Sequence, residues 1–311
     1  MALFCQVCVA RLCHGSPQVN QKTIGNIFPA LVRTRIYLGL MQKAYRIFLI
    51  PLGFRTGMAS FSDCPLEVAA EIIATLDNQD DLKACSLTCR SLLPLCRAFI
   101  FGYIEFSIRG HIISFGRLLD SNPSLSDYVR NLVYEIRFQD CDDDNVSRIL
   151  KQFRRLHSFC LIGDQENHTD WDTLPQPFLD SLLHITLLPS ITSLEIFCFK
   201  VFPITLFSLC PNLTSLALSD ISDDSVVEYK SILNKVPQLS SLELDLRDSK
   251  LGKLVGVDQS NGFPVFDIFN LRSLSVFVEE YSDLAAFHAL LNATNKLETL
   301  EYIGVSHNYS F

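Results

Sequence analysis

Charge is scarce in this chain, and acidic residues are missing altogether from its first 62 positions. Charged side chains make up 19% of the 311 residues and hydrophobic ones 48%, which excludes a solvated, disordered polymer and points to a packed core. Clustered lysine and arginine are lacking too. The net charge of −8 has the wrong sign for a surface that neutralises phosphates, so no nucleic-acid partner is expected. No apolar run approaches the roughly 20 residues that a bilayer-spanning helix needs. The best run, Ile47 to Phe54, falls far short, so no membrane partner is expected either.

The motifs of small-molecule chemistry are also missing. Neither G-x-x-x-x-G-K-[ST] nor G-x-G-x-x-G occurs, so no loop is built to cradle phosphate, and no G-x-S-x-G presents a nucleophile on a strained turn. The seven histidines are scattered. A Cys–His pair can still meet in space, but no spacing calls for one. Cys5, Cys8, Cys13 and His14 come nearest to a ligand set, yet a structural zinc site wants two ligand pairs separated by a loop. Asp140–Asp144, "DCDDD", lacks the glycine and terminal glutamate of a calcium loop and reads as a solvated helix start. The expectation is no enzyme, no cofactor and no metal.

Cysteine is present in an odd number, 11, and several lie at apolar positions of helical patterns, such as Cys85, Cys89 and Cys96. A thiol there behaves as a small hydrophobe. Reduced thiols and the absence of a clean signal-peptide order in "MALFCQVCVARLC" predict a cytoplasmic and/or nuclear protein. Charge also marks a boundary. Residues 1–62 hold seven basic residues and no acid, +7 there against −15 for the remainder. Residues 1–60 therefore read as a basic arm outside the working protein, with Met58 placed just before the first convincing helix. By composition alone a mitochondrial transit peptide is the alternative.

From Pro65 the apolar positions Leu66, Ala69, Ile72, Ile73 and Leu76 fall on one face of a helix, with Pro65 suited to its first turn and Glu67 to its positive end. Asp80 or Asp81 is the expected cap of a second helix striped by Leu82, Cys85 and Cys89, continued by Leu92, Leu93 and Cys96 across a bend at Pro94. Some forty residues seldom bury enough surface to fold alone, so this unit calls for a partner surface.

Pro65-Leu66-x-Val68 with Glu71-Ile72-Ile73, then Asp81-Leu82, then Cys85-Ser86-Leu87-x-Cys89-Arg90, resembles the F-box motif over residues 61–106. Cys64 stands where the motif commonly has Leu, and Leu92 where it commonly has Trp; both remain apolar. The resemblance implies a helical module that docks a Skp-type adaptor and, through it, a cullin-based ubiquitin ligase. The positions it implies for that contact are Pro65, Leu66, Val68, Ile72, Ile73, Leu76, Leu82, Leu87, Cys89 and Leu92.

Beyond residue 125 an apolar-x-x-apolar-x-apolar unit recurs at Val129, Leu156, Ile191, Leu213, Leu239, Leu271 and Leu297, at intervals of 22 to 35 residues. Leucine-rich repeats recur every ~20 to 29. A hydroxyl precedes the middle apolar residue at Ser158, Ser193, Ser215, Ser241, Ser273 and Thr299. Between the units, capped apolar stripes predict helices at Val146–Phe153, Val226–Val236 and Leu284–Leu291. The Asn or Cys that usually follows such a strand is absent; Asp164, Phe199, Ile221, Arg247, Glu279 and Val305 stand there.

The predicted fold is α/β: a short all-α F-box head, then residues 107–311 as an irregular leucine-rich-repeat solenoid with a curved parallel sheet. A doubly wound sheet is the alternative that strand–helix alternation leaves open. An F-box followed by such repeats resembles a large fungal-type group and implies a substrate adaptor of an SCF-type ligase; a repeat scaffold without ligase association is the alternative. Strand alternation turns Glu195, Phe197, Glu243, Asp245, Phe277 and Glu301 outward, and these are the expected substrate contacts, suited to a protein with a basic patch.

Overall fold

The computed structural model describes residues 65–76, 78–88, 90–221, 236–245, 266–278 and 283–304. The basic arm with Cys5, Cys8, Cys13 and His14, position Cys89, and most of the helix expected at Val226–Val236 lie outside them. The chain divides between Cys96 and Arg97 into two compact units.

In the first unit, α1 (Leu66–Ala74) buries Ala69, Ile72 and Ile73. Pro65 sits at the N-cap rather than in the first turn, and its carbonyl accepts from Ala69 N at 3.0 Å. The helix stops at Thr75, whose hydroxyl donates back to Ile72 O at 2.7 Å. α2 (Gln79–Thr88) follows, buried through Leu82 and Cys85. Its cap is neither Asp80 nor Asp81: Asn78 Oδ1 accepts from Asp80 N at 2.9 Å, which leaves both aspartates in the first turn beside the positive dipole end. α3 (Leu93–Phe101), whose residues from Arg97 onward belong to the second unit, begins afresh after a turn at Arg90–Leu92. Pro94 therefore occupies a first turn, where its missing N–H costs nothing, and bends no longer helix.

The second unit is a nine-stranded sheet in which every pair is parallel. The strands are β1 (Tyr103–Phe106), β2 (Asn131–Glu135), β3 (Ser158–Ile162), β4 (Thr169–Asp170), β5 (Ser193–Val201), β6 (Ser215–Ile221), β7 (Ser241–Asp245), β8 (Ser273–Val278) and β9 (Thr299–Gly304). β1, inside the segment expected to be all helical, forms one edge. The spatial order is the sequence order, with β4 set aside against β5. No strand pairing reverses that order among the described residues, so the switch point that defines a doubly wound sheet does not occur there.

One hydrogen-bond unit repeats at every step of the main strand order from β1 to β9, β4 excepted. The carbonyl just before a strand's hydroxyl position accepts from two consecutive N–H groups of the next strand. Arg130 O takes His157 N and Ser158 N, His157 O takes Thr192 N and Ser193 N, and Thr192 O takes Thr214 N and Ser215 N, all within 2.7–3.0 Å. Thr214, Ser240 and Arg272 continue the series to Thr299. Thr192, Thr214 and Ser240 add side-chain bonds to the same carbonyls at 3.3, 3.1 and 3.0 Å. This lock sets the register Asn131↔Ser158↔Ser193↔Ser215↔Ser241↔Ser273↔Thr299.

Register decides burial, because a one-residue slip would turn each strand's apolar set to the other face. The three apolar positions of the first six units are all buried, none above 4% exposed. In the seventh, Leu300 and Tyr302 are 48% and 50% exposed, since no described strand lies beyond β9 to cover them.

Four helices follow between strands: α4 (Arg109–Ser121), then α5 (Phe138–Cys141) with α6 (Asp144–Leu150), then α7 (Gln176–Thr186). The last, α8 (Asp283–Ala293), precedes β9. α4 packs on α6 and α6 on α7, side by side in strand order, so these helices share one face of the sheet. That follows from the strand order: parallel crossovers of one hand that always step the same way leave their connections on the same side. α6 carries Val146, Ile149 and Leu150 of the expected stripe, all buried, with Asp143 capping through Asn145 N at 2.9 Å; the fourth stripe residue, Phe153, is buried just past the helix end. α4 and α7 add Phe115 and Phe178 to one aromatic series through Phe106, Tyr134 and Phe153.

Of the positions expected to replace the Asn, Arg247, Glu279 and Val305 lie outside the described residues, and Phe199 falls within β5. Phe199 is fully buried and meets Trp171 and Phe202, which themselves cross edge to face at 4.9 Å. The "DCDDD" segment also departs from expectation, because Asp140 is 1% exposed rather than solvated. Its Oδ2 accepts from the Tyr134 hydroxyl at 3.2 Å, and Arg109 lies 3.7 Å from Oδ1.

Candidate functional site

Two surfaces hold the residues expected to bind partners, one in each unit. On the helical unit the ten adaptor positions separate by burial. Pro65, Leu66 and Leu87 are exposed, the leucines at 57% and 74%. Val68 and Leu76 are half-buried, whereas Ile72, Ile73, Leu82 and Leu92 lie in the chain's own core. Cys89 lies outside the described residues. The buried four build the helices that present the exposed three.

On the sheet, the face opposite the buried apolar row carries the expected substrate positions. Glu243 and Glu301 are exposed, and Glu195, Phe197, Asp245 and Phe277 are half-buried. Parallel register brings them into two rows. Glu195, Ala217, Glu243, Ser275 and Glu301 form one; Phe197, Ser219, Asp245 and Phe277 form the next. Burial raises the Glu195 carboxyl above the usual range, and the Glu243 carboxylate two strands away raises it further, against a hydrogen bond to Cys160 that lowers it. Asp245 accepts from the Ser219 hydroxyl at 2.9 Å.

The chain matches no protein-family model and no curated protein. Its function has to follow from the chemistry of these surfaces.

A third feature carries no repeat or motif in the sequence. His168, Cys198 and Asp220 are non-glycine residues at φ of 51°, 62° and 56°. Cys198 and Asp220 each lie one residue past the Phe197↔Ser219 pair, and His168 one before the Thr169↔Phe199 pair. His168 Nε2 stands 2.8 Å from Asp220 Oδ2, tying the loop after β3 to β6. Asp164 shapes that loop by accepting from Glu166 N and Asn167 N at 2.9 and 3.3 Å, bonds that hold its carboxyl below the usual range. Asp and His tolerate this backbone region better than most residues, which is the one signal the sequence offers for it. Among the described residues no group of three His, Cys, Asp or Glu is placed to hold a metal ion.

The buried thiols are chemically quiet. Burial pushes Cys85 and Cys141 up to about 11 and Cys210 up to about 12, so the nucleophilic thiolate is suppressed. Among the described residues no helix is long and apolar enough to cross a membrane.

Proposed function

We propose that this chain is the substrate-recognition adaptor of a cullin-based, SCF-type ubiquitin ligase. In this reading the helical unit is an F-box that docks a Skp-type adaptor, and the sheet unit is an irregular leucine-rich-repeat solenoid that holds the substrate. The role is non-catalytic and belongs to the cytoplasm and/or nucleus. The observation that carries the docking half is the exposure of Leu66 and Leu87 at motif positions of so small a helical unit. Large apolar side chains left in water there are suited to cover by a partner. Strand order equal to sequence order and the repeated hydrogen-bond unit support the solenoid.

A second reading, a repeat scaffold without ligase association, is favoured by the burial of Ile72, Ile73, Leu82 and Leu92 within the chain itself. Co-purification decides between them. The full chain should capture a Skp-type adaptor, and Leu66→Asp with Leu87→Asp should abolish capture without lowering the melting temperature, because both side chains are already solvated. Capture at wild-type strength by the double variant would refute the docking half.

A further inference from the structure

The open sheet face is graded in chemistry from one row to the next. Its first row is hydroxyl: Ser193, Ser215, Ser241, Ser273 and Thr299. The second alternates carboxylates with small residues, Glu195 and Glu243 flanking Ala217, then Glu243 and Glu301 flanking Ser275. The third sets Phe197 and Phe277 on either side of Ser219 and Asp245. No Lys, Arg or His falls in these rows on the described strands. The glutamates of the second row therefore stand two strands apart, each pair with one small residue between them and no cation of the same rows.

The spacing of that row selects a conformation for its occupant. Neighbouring strands lie about 4.8 Å apart, so Ala217 and Ser275, two strands apart, are separated by about 9.6 Å. A polyproline II segment rises about 3.1 Å per residue with three residues per turn, so residues i and i+3 point the same way about 9.3 Å apart. A β-conformation peptide misses this spacing, because its same-side residues recur at i+2 and i+4, about 6.7 and about 13 Å apart.

We propose that this face binds a proline-rich, basic protein segment in polyproline II conformation, running across the strands with Lys or Arg at i and i+3. One cation lies over Ala217 between Glu195 and Glu243, and the next lies over Ser275 between Glu243 and Glu301. The backbone of such a segment forms no hydrogen bonds of its own, so its carbonyls are open to the hydroxyl row. Phe197 and Phe277 flank the path with aromatic surface of the kind that receives proline rings. The inference rests on reading this face as the substrate surface and is independent of adaptor docking.

The test is a fluorescence-anisotropy titration of the full chain with labelled proline-rich peptides carrying two arginines at i,i+3, at i,i+2 or at i,i+4, otherwise of one composition. The i,i+3 peptide should bind about two- to fivefold tighter than the other two, the difference between two engaged ion pairs and one. Glu243→Gln, which removes the carboxylate shared by both positions, should lower its affinity by about tenfold, and Glu301→Gln by less. Ala217→Leu, which fills the gap, should weaken it comparably while leaving the melting temperature within a few degrees. Equal binding of all three spacings overturns the pitch match, and an unchanged affinity in Glu243→Gln overturns the placement. Binding of none of the peptides overturns the substrate-surface reading with it. Skp-type adaptor capture, measured on the same preparations, should survive every one of these variants, so failure here is distinguishable from failure of the ligase reading.

Discussion

Gly163→Ala tests the packing that holds the open face in register. Gly163 is buried just after β3, and its N–H donates to Phe197 O at 2.8 Å. A Cβ at this position would overlap the carbonyl oxygen of Cys198 and stand 2.9 Å from Thr169 Oγ1. Neither neighbour can rotate away. The first is backbone, and the second is held as acceptor for Asp164 N at 2.9 Å. Relief therefore requires β3 and β5 to move apart. Overpacking of this kind costs about 1–3 kcal/mol, with up to about 1 more if the Gly163–Phe197 bond lengthens. Reduced freedom of the unfolded chain returns about 0.4–1 kcal/mol. The net is a loss of roughly 1–3 kcal/mol, or about 3–10 °C in melting temperature for a unit of this size. Thermal unfolding followed by circular dichroism measures it, with Gly110→Ala as the control of opposite sign. Gly110 lies in the first turn of α4, where an added methyl would meet no heavy atom within 4 Å, so alanine there should raise stability by about 0.5 kcal/mol. A Gly163→Ala protein that melts with the wild type would refute the argument that Cys198 and Thr169 leave no room.

Leu216→Ala, at a 1% exposed position in the middle of the sheet, should destabilise by about 2–5 kcal/mol in urea unfolding. Ile72→Asp should unfold the helical unit, in contrast to the solvated Leu66, and amide hydrogen exchange over residues 66–88 would report it. Acid titration should separate the two aspartates near Arg109. Asp143 is held below the usual carboxylate range by Arg109, so its contribution is present above the ordinary carboxylate pKa and is lost as pH falls through its depressed value; Asp143→Asn should lower the melting temperature at neutral pH. Asp140 is raised by burial, against the Tyr134 hydroxyl and Arg109, so its charge costs stability as pH rises through that raised value, and Asp140→Asn should leave the neutral-pH melting temperature unchanged or higher. Cys85, Cys141 and Cys210 should resist iodoacetamide at pH 8 in the folded protein and react on unfolding, as mass spectrometry of the alkylated peptides would show.

The strands are legible in the sequence because their signal is local. An apolar-x-x-apolar-x-apolar unit with a hydroxyl before its middle residue needs only period two to declare which side is buried, and Leu194, Leu216, Leu242 and Leu274 are all at 0–1% exposure. α6 is legible for a related reason, its Asp143 cap followed by a clean stripe. α4 is not, although its Ile112, Phe115 and Leu119 lie on one face, because no repeat unit brackets that stretch on its N-terminal side. The burial of Asp140 escapes any local pattern because it depends on Tyr134, six residues earlier on a strand, and on Arg109 at the start of α4.

The sequence by itself determined the α/β character, the repeating strands and the residues that turn away from the core, since alternation and capping are properties of a few consecutive residues. Only the tertiary structure decided which of those residues become neighbours. Parallel register places Glu195 and Glu243, 48 positions apart in the chain, across a single alanine, and Cys198 beside Asp220. It also decided that Ile72 and Leu82 serve the core while Leu66 and Leu87 face water. Helical periodicity marks an apolar face, but which part of that face a neighbour covers depends on packing between segments that no local pattern encodes.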